Sequence, residues 1–189
     1  HAFDADEIKG NQVIVKTANQ DEVFKTLDNK EIKLNAEDLM ICNEKEGMCI
    51  AGVFGGATSG VKNTTKTIFL ESAYFNSSSI RKTSTVHKMS TDAAGRYEKG
   101  ADPEITIEAL KRAASMVCEL ANGQIISDIQ DFYPSKIDPF SVSFRYSRLN
   151  SLTGKEIEKE TVKQILKDLE INIVSEKGDV LELSVPQYR

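Results

Sequence analysis

The chain has 189 residues, 40% hydrophobic and 28% charged, with a formal net charge of −5, the composition of an ordinary soluble globular protein of one or two domains. The acidic balance argues against nonspecific coating of nucleic acid, and no apolar run has the length of a membrane span or the pattern of a signal peptide. Cys42, Cys49 and Cys118 cannot all pair and form no CxxC, so a reducing cytoplasm is expected, and with only two histidines no metal site is predicted.

Taken from the start, the chain opens on His1 rather than Met, and it stops abruptly after the strand-like run 180–185. Both features read as a piece cut from a longer protein. Alternation over 12–15 and 28–34, with the Asp28-Asn29 turn, predicts two short strands joined as a hairpin. Residues 39–42 and 48–54 predict a second strand pair around the charged turn Glu44-Lys45-Glu46-Gly47. Turn signals every ten or so residues make this first third β-rich, satisfied by a small barrel or a folded sheet. Gly52, Gly55 and Gly56 permit tight sheet corners, or else let backbone N–H groups approach a ligand oxygen. The GxxxxGK[ST] spacing of a phosphate-binding loop is absent.

The next strand-like run, KTIFLESAYF, holds a carboxylate, Glu71, among apolar neighbours. Such an acid is costly to bury unless something pairs with it. The triplet Ser77-Ser78-Ser79 predicts the cap of a short helix running through Arg81 to Lys88. A polar turn follows, Ser90-Thr91-Asp92-Ala93-Ala94-Gly95. Between residues 80 and 100 stand five cations, Arg81, Lys82, Lys88, Arg96 and Lys99, against two acids, Asp92 and Glu98. That surplus either contacts phosphate or is a solvated surface. Asp92, Arg96 and Glu98 are expected to make structural ion pairs around the loop.

Asp102-Pro103-Glu104 predicts a helix start. Leu110, Ala113, Ala114, Val117, Leu120 and Ala121 then form an apolar stripe at helical spacing, expected to be core, and Asn122-Gly123 ends it. Residues 125–133 read as a strand returning to the sheet, and 134–139 as a linker bracketed by prolines. Beyond the linker the pattern predicts a strand over 141–144, a helical turn over 147–152 ended by Gly154, and a helix over 158–169. A hairpin of 171–174 and 180–185 around Lys177-Gly178-Asp179 completes the chain.

Seven motifs in fixed order carry a resemblance. They are His1-Ala2-Phe3-Asp4, Ala51-Gly52-Val53-Phe54-Gly55-Gly56, Phe69-Leu70-Glu71-Ser72-Ala73-Tyr74-Phe75, Ser79-Ile80-Arg81-Lys82-Thr83, Thr91-Asp92-Ala93, the run from Arg96 to Pro103, and Val185-Pro186-Gln187-Tyr188-Arg189. Together they resemble the editing region of the bacterial phenylalanyl-tRNA synthetase beta subunit. The chain departs from that family's pattern at Ala94, where serine is usual, and at Lys99, where arginine is usual.

The resemblance implies an α+β protein. Residues 1–138 would be a β-rich, barrel-like or folded-sheet editing domain with a few helices, and residues 139–189 the partial, winged-helix-like start of a fifth domain. It implies hydrolysis of tyrosine mischarged onto phenylalanine tRNA, with Glu71 accepting the tyrosine hydroxyl. His1 would lie near the ester and the terminal ribose; the alternative for it is an exposed, disordered imidazole at a frayed end. Thr91, Ala93 and Gly55 would line the amino-acid pocket, and Arg81, Lys82, Lys88, Arg96 and Lys99 would meet tRNA. No Ser/His/acid triad is evident, so a positioned water would attack the ester. No cofactor is implied for this stretch. ATP and magnesium are implied for the whole synthetase, mainly in its alpha subunit, within a heterotetramer of two alpha and two beta chains. The competing readings are a noncatalytic tRNA-docking module and a scaffold for other domains of the subunit.

Overall fold

Short strands and turn residues dominate the first half of the sequence, and the computed structural model, which describes residues 1–189, folds them into small antiparallel sheets. The chain divides into two units, His1–Ile129 and Gln130–Arg189.

In the first unit, β1 (Ala2–Asp4) lies along a strand near residue 70. Next come β2 (Ile14–Thr17), β3 (Val23–Lys25), β4 (Glu31–Lys33), β5 (Leu39–Cys42), β6 (Gly47–Ile50), β7 (Phe54–Gly55) and β8 (Ile68–Leu70). They make a two-stranded β1–β8 sheet, a four-stranded sheet ordered β2-β5-β6-β7, and a two-stranded β3–β4 hairpin. The β5–β6 pair forms around the predicted turn, but 48–54 is not one strand: β6 ends at Ile50, left-handed Gly52 turns the chain, and Phe54–Gly55 pairs back on β6. The first hairpin does not: the strand after Asp28-Asn29 pairs with Val23–Lys25, not with residues 12–15. The reason is local. Asn29 adopts a left-handed conformation (φ 62°) and Asp28 accepts from the Thr26 hydroxyl, closing a tight turn that only the immediately preceding residues can reach. Ile14–Thr17 instead pairs with Leu39–Cys42.

No closed barrel forms. The outer strands β2 and β7 do not pair, β7 is only two residues long, and single bridges (Thr26 to Gly56, Phe3 to Gly60) link the small sheets where closure would require continuous ladders. Phe3, Phe24, Leu34, Met40, Ile41, Met48, Ile50 and Val53 fill the space between the sheets. Each such side chain contributes roughly 1.5–3 kcal/mol by leaving water.

Two helices close this core. The first, α1 (Ser77–Val86), buries Ile80 and is capped by Asn76, whose Oδ1 accepts from the N–H groups of Ser78 and Ser79. The cap is thus one residue ahead of the predicted serines. The second, α2 (Asp92–Tyr97), occupies most of the stretch read as a polar turn; Thr91 caps it and Ala94 is buried. Asp102 accepts from Glu104 N–H at 2.9 Å and opens a 3-10 turn (Pro103–Ile105) that leads into α3 (Thr106–Ala121), ended by left-handed Asn122. The apolar stripe of α3 is not core. None of its residues is buried and Leu120 is 79% exposed, because no element of the unit packs over it. Residues 125–133 form no strand for the same reason: Ile125, Ile126 and Phe132 find no sheet edge and stay exposed.

The second unit follows its local signals closely. It comprises β9 (Phe140–Arg145), α4 (Tyr146–Thr153), α5 (Lys159–Asp168), β10 (Asn172–Lys177) and β11 (Val180–Val185), with sheet order β10-β11-β9. Gly154 ends α4 at φ 70°, and Gly178 turns the hairpin at φ 60°. Tyr146, Val162, Leu166, Leu181 and Leu183 form its core. No helix of the protein is long and apolar enough to cross a membrane.

Candidate functional site

Glu71 is the residue directly after β8, and His1 the residue directly before β1. Because Ala2 lies opposite Leu70 in an antiparallel ladder, the two are neighbours. Glu71 N–H donates to the His1 carbonyl at 2.8 Å, and the His1 amino group donates to the Glu71 carbonyl at 2.7 Å. The His1 imidazole stacks on Phe3, with ring centres 4.2 Å apart and planes at 10°. Its Cε1 lies 3.5 Å from where a Gly55 side chain would begin. The fold therefore sets His1, just before β1, next to Glu71, just after β8, and next to Gly55 on β7.

Glu71 is half-buried. Burial raises its carboxyl pKa above the ordinary value. Two further weak acids share its surroundings. The Cys49 thiol is pushed up to about 12, chiefly by burial and next by the Glu71 charge. The Tyr97 phenol is raised by burial, then by Glu71 and Cys49. A half-buried carboxylate among apolar side chains, a thiol and a phenol suits a hydrogen-bond acceptor awaiting a donor.

Thr91 is half-buried, and its hydroxyl is occupied: Oγ1 donates to the Val53 carbonyl at 2.7 Å and accepts from Ala94 N–H at 3.0 Å. This ties α2 to the turn just before Gly55. Ala93 sits in the first turn of α2 and is exposed. Ala94, one of the departures from the family pattern, packs into the core at 2% exposure. The choice between roles for the glycines resolves for two of them. Gly52 has φ 66°, and a Cβ there would meet Phe75 Cδ2 at 2.9 Å; a Cβ at Gly56 would meet the Met48 carbonyl oxygen at 2.5 Å. Those two are glycine for backbone and packing reasons. Gly55, by contrast, borders His1 without such crowding.

The five cations divide. Arg81 donates to the Glu98 carbonyl at 2.8 Å, and Lys82 pairs with Glu37. Lys88, Arg96 and Lys99 are exposed and take part in no salt bridge. The expected ion pairs among Asp92, Arg96 and Glu98 do not form. Arg81 is held by the main-chain oxygen of Glu98, and in a short capped helix Asp92 serves the N-terminal turn instead.

One cluster has no counterpart in the local sequence pattern. Asp38 is buried and accepts from the Thr83 hydroxyl at 2.8 Å, from Asn35 N–H at 2.8 Å, and from His87 Nε2 at 2.5 Å. It pins both ends of α1's second half to the loop before β5. Nothing in the spacing reveals it, since Asp38 is 45 residues from Thr83 and 49 from His87. No group of three His, Cys, Asp or Glu side chains is placed to hold a metal ion.

Comparison with known families settles what kind of chain this is, for the B3/4 domain pattern matches residues 1–122. The chain belongs to the B3/4 domain family. The tRNA synthetase B5 domain pattern matches residues 142–189 of the same B3/4 chain. All of this B3/4 chain is similar to the phenylalanine–tRNA ligase beta subunit of Bacteroides fragilis (strain YCH46), 51% identical over 189 residues and 23% of that relative's length. It is likewise similar to the beta subunit of that name in Porphyromonas gingivalis, 46% identical over 190 residues and 23% of that protein. A solved N-terminal fragment of the phenylalanyl-tRNA synthetase beta-subunit from Pyrococcus horikoshii aligns with TM-score 0.44 and 12% identity, covering 100% of this chain and 54% of that one. The chain thus spans about a quarter of the length of the curated relatives it matches.

Proposed function

We propose that this chain is part of a phenylalanine–tRNA ligase beta subunit and that its first unit removes tyrosine wrongly esterified to phenylalanine tRNA. The observation that carries the reading is the half-buried Glu71, an acceptor paired in the backbone with His1, which in turn borders Gly55, and with no side-chain donor of its own. The name shared by the relatives supports the subunit role.

Tyrosine is phenylalanine with one added hydroxyl, and an apolar synthetic pocket rejects an added hydroxyl by only about a hundredfold. A second site that demands the hydroxyl does better. Glu71 accepts the phenolic O–H; phenylalanine offers no donor, and leaving a charged acceptor unpaired costs about 1.5–3 kcal/mol, roughly 10- to 150-fold. Water then adds to the ester carbonyl, the acyl carbon–oxygen bond breaks, and the ribose oxygen leaves with a proton. Gly55 and the Thr91–Ala93 segment border the amino-acid pocket, and the His1 imidazole lies by the ester and ribose. Ligation, with ATP and magnesium, takes place in the alpha subunit of a two-alpha, two-beta assembly. Residues 139–189 begin a winged-helix-like domain.

The test is deacylation of tyrosyl-tRNA(Phe) by the full-length subunit assembled with its alpha partner. Glu71→Ala should slow it about 10- to 100-fold; an unchanged rate removes Glu71 from the mechanism. A second reading, noncatalytic tRNA docking, is favoured by the unpaired Lys88, Arg96 and Lys99. It predicts salt-dependent binding that survives loss of Glu71.

A further inference from the structure

The short helix α2 is fastened at both ends. At its start, the Thr91 hydroxyl donates to the carbonyl of Val53, two residues before Gly55. At its end, the Tyr97 hydroxyl donates to the carbonyl of Ala73 at 3.2 Å, two residues after Glu71. The Tyr97 ring is itself held. It packs on Phe75, with ring centres 5.0 Å apart at 60°, and its Cδ2 lies 3.2 Å from where a Cβ on Gly52 would stand. The hydroxyl is the group that bonds the main chain of the segment following β8, the segment to which Phe75 also belongs. A bond at that place restrains the backbone that aims Glu71.

We infer that Tyr97 is a positioning residue for Glu71: its hydroxyl, anchored on the Ala73 carbonyl, fixes residues 71–73 so that the carboxylate meets a phenolic proton at one depth and no other. This rests on the reading of Glu71 as the group that reads the tyrosine hydroxyl. Tyr97 does not touch the ester itself. It acts through the backbone, and so it governs which substrate is chosen rather than how fast a bound ester is cleaved.

Two readouts follow that a general structural role would not move. First, Tyr97→Phe keeps the ring and its packing but frees residues 71–73. The tyrosyl ester then loses part of its hydrogen bond to Glu71, so its KM rises about five- to tenfold while kcat changes little. The phenylalanyl ester, which never made that bond, is unaffected. Second, the titratable side chains about Glu71 are the His1 imidazole opposite it in the β1–β8 ladder, the Cys49 thiol on β6 and the Tyr97 phenol on α2. Acceptance of the phenol needs the carboxylate ionised, so selectivity is present above the Glu71 pKa and lost as pH falls through it. Burial holds that pKa up. Once residues 71–73 are free in Tyr97→Phe the carboxylate reaches solvent, its pKa falls toward its ordinary value, and the acid limb of selectivity moves to lower pH.

The experiment compares wild type, Glu71→Ala and Tyr97→Phe in the full-length subunit assembled with its alpha partner. Deacylation of tyrosyl- and phenylalanyl-tRNA(Phe) is followed from about pH 4 to 8, with thermal melts alongside. The expected result is that Tyr97→Phe melts within a few degrees of wild type, loses selectivity through KM, and shifts its acid limb downward. If Glu71→Ala abolishes selectivity while Tyr97→Phe keeps both the ratio and the acid limb, the positioning role is overturned and the editing reading stands. If Tyr97→Phe slows both esters alike or melts far below wild type, Tyr97 is merely structural and the inference is likewise overturned. If Glu71→Ala leaves selectivity intact, the editing reading falls and takes this inference with it.

Discussion

Asp38→Ala isolates the buried cluster that holds α1 in place. The Asp38 and His87 side chains are 3% and 7% exposed, so neither finds water when the other is removed. Truncation leaves three donors facing a void: His87 Nε2, the Thr83 hydroxyl and the Asn35 N–H. At about 1–3 kcal/mol for each buried donor left without an acceptor, the loss is at least about 3–5 kcal/mol, a large share of a typical total stability of about 5–15 kcal/mol. For a unit of this size that lowers the melting temperature by roughly 10–20 °C, and the urea midpoint by about 2 M. The assay is urea unfolding of the single variants Asp38→Ala and His87→Ala and of the double variant. The double variant should cost less than the sum of the two, because its second truncation removes a group the first had orphaned. A loss below about 1 kcal/mol for Asp38→Ala, or strict additivity, would refute the reasoning.

Two further outcomes follow from the site's frame. Gly52→Ala puts a Cβ at left-handed φ 66° and 2.9 Å from Phe75 Cδ2, so strain and overpacking together should cost about 2–4 kcal/mol in urea unfolding; a loss near zero would mean the turn relaxes freely. Replacing Lys88, Arg96 and Lys99 together by alanine should reduce the slope of log tRNA affinity against log salt by about 2–3, at roughly 0.7–0.9 for each phosphate no longer neutralised. A slope unchanged in filter-binding titrations would leave that face without a role in binding tRNA.

Legibility in the sequence tracks locality. The second unit is readable almost element by element, because Gly154, Gly178 and the 3.6-residue spacing of Val162, Ile165, Leu166 and Leu169 act within a few residues. Glu71 stands out for a comparable reason, as a charge in an apolar run. Partnership is not readable. Periodicity marks Glu31–Lys33 as a strand but not Val23–Lys25 as its mate, since that is set by how tightly Asp28 and Asn29 close the turn. The α3 stripe announces an apolar face without saying whether anything covers it, and here nothing in its unit does. Helix α2 is hidden by its brevity and polar composition, although Thr91 three residues before Ala94 is a cap in form. The Asp38–Thr83–His87 cluster joins residues too far apart in sequence for any local signal to predict it.

The central claim is that one half-buried carboxylate separates two nearly identical aromatic side chains by a single proton donor. Calorimetric binding of nonhydrolysable tyrosyl- and phenylalanyl-adenosine amides to the full-length subunit assembled with its alpha partner measures this without the chemistry of hydrolysis. The account predicts a preference of about 10- to 100-fold for the tyrosyl compound, collapsing to near equality in Glu71→Ala. Equal binding of the two by wild type, or a preference that survives Glu71→Ala, would contradict it.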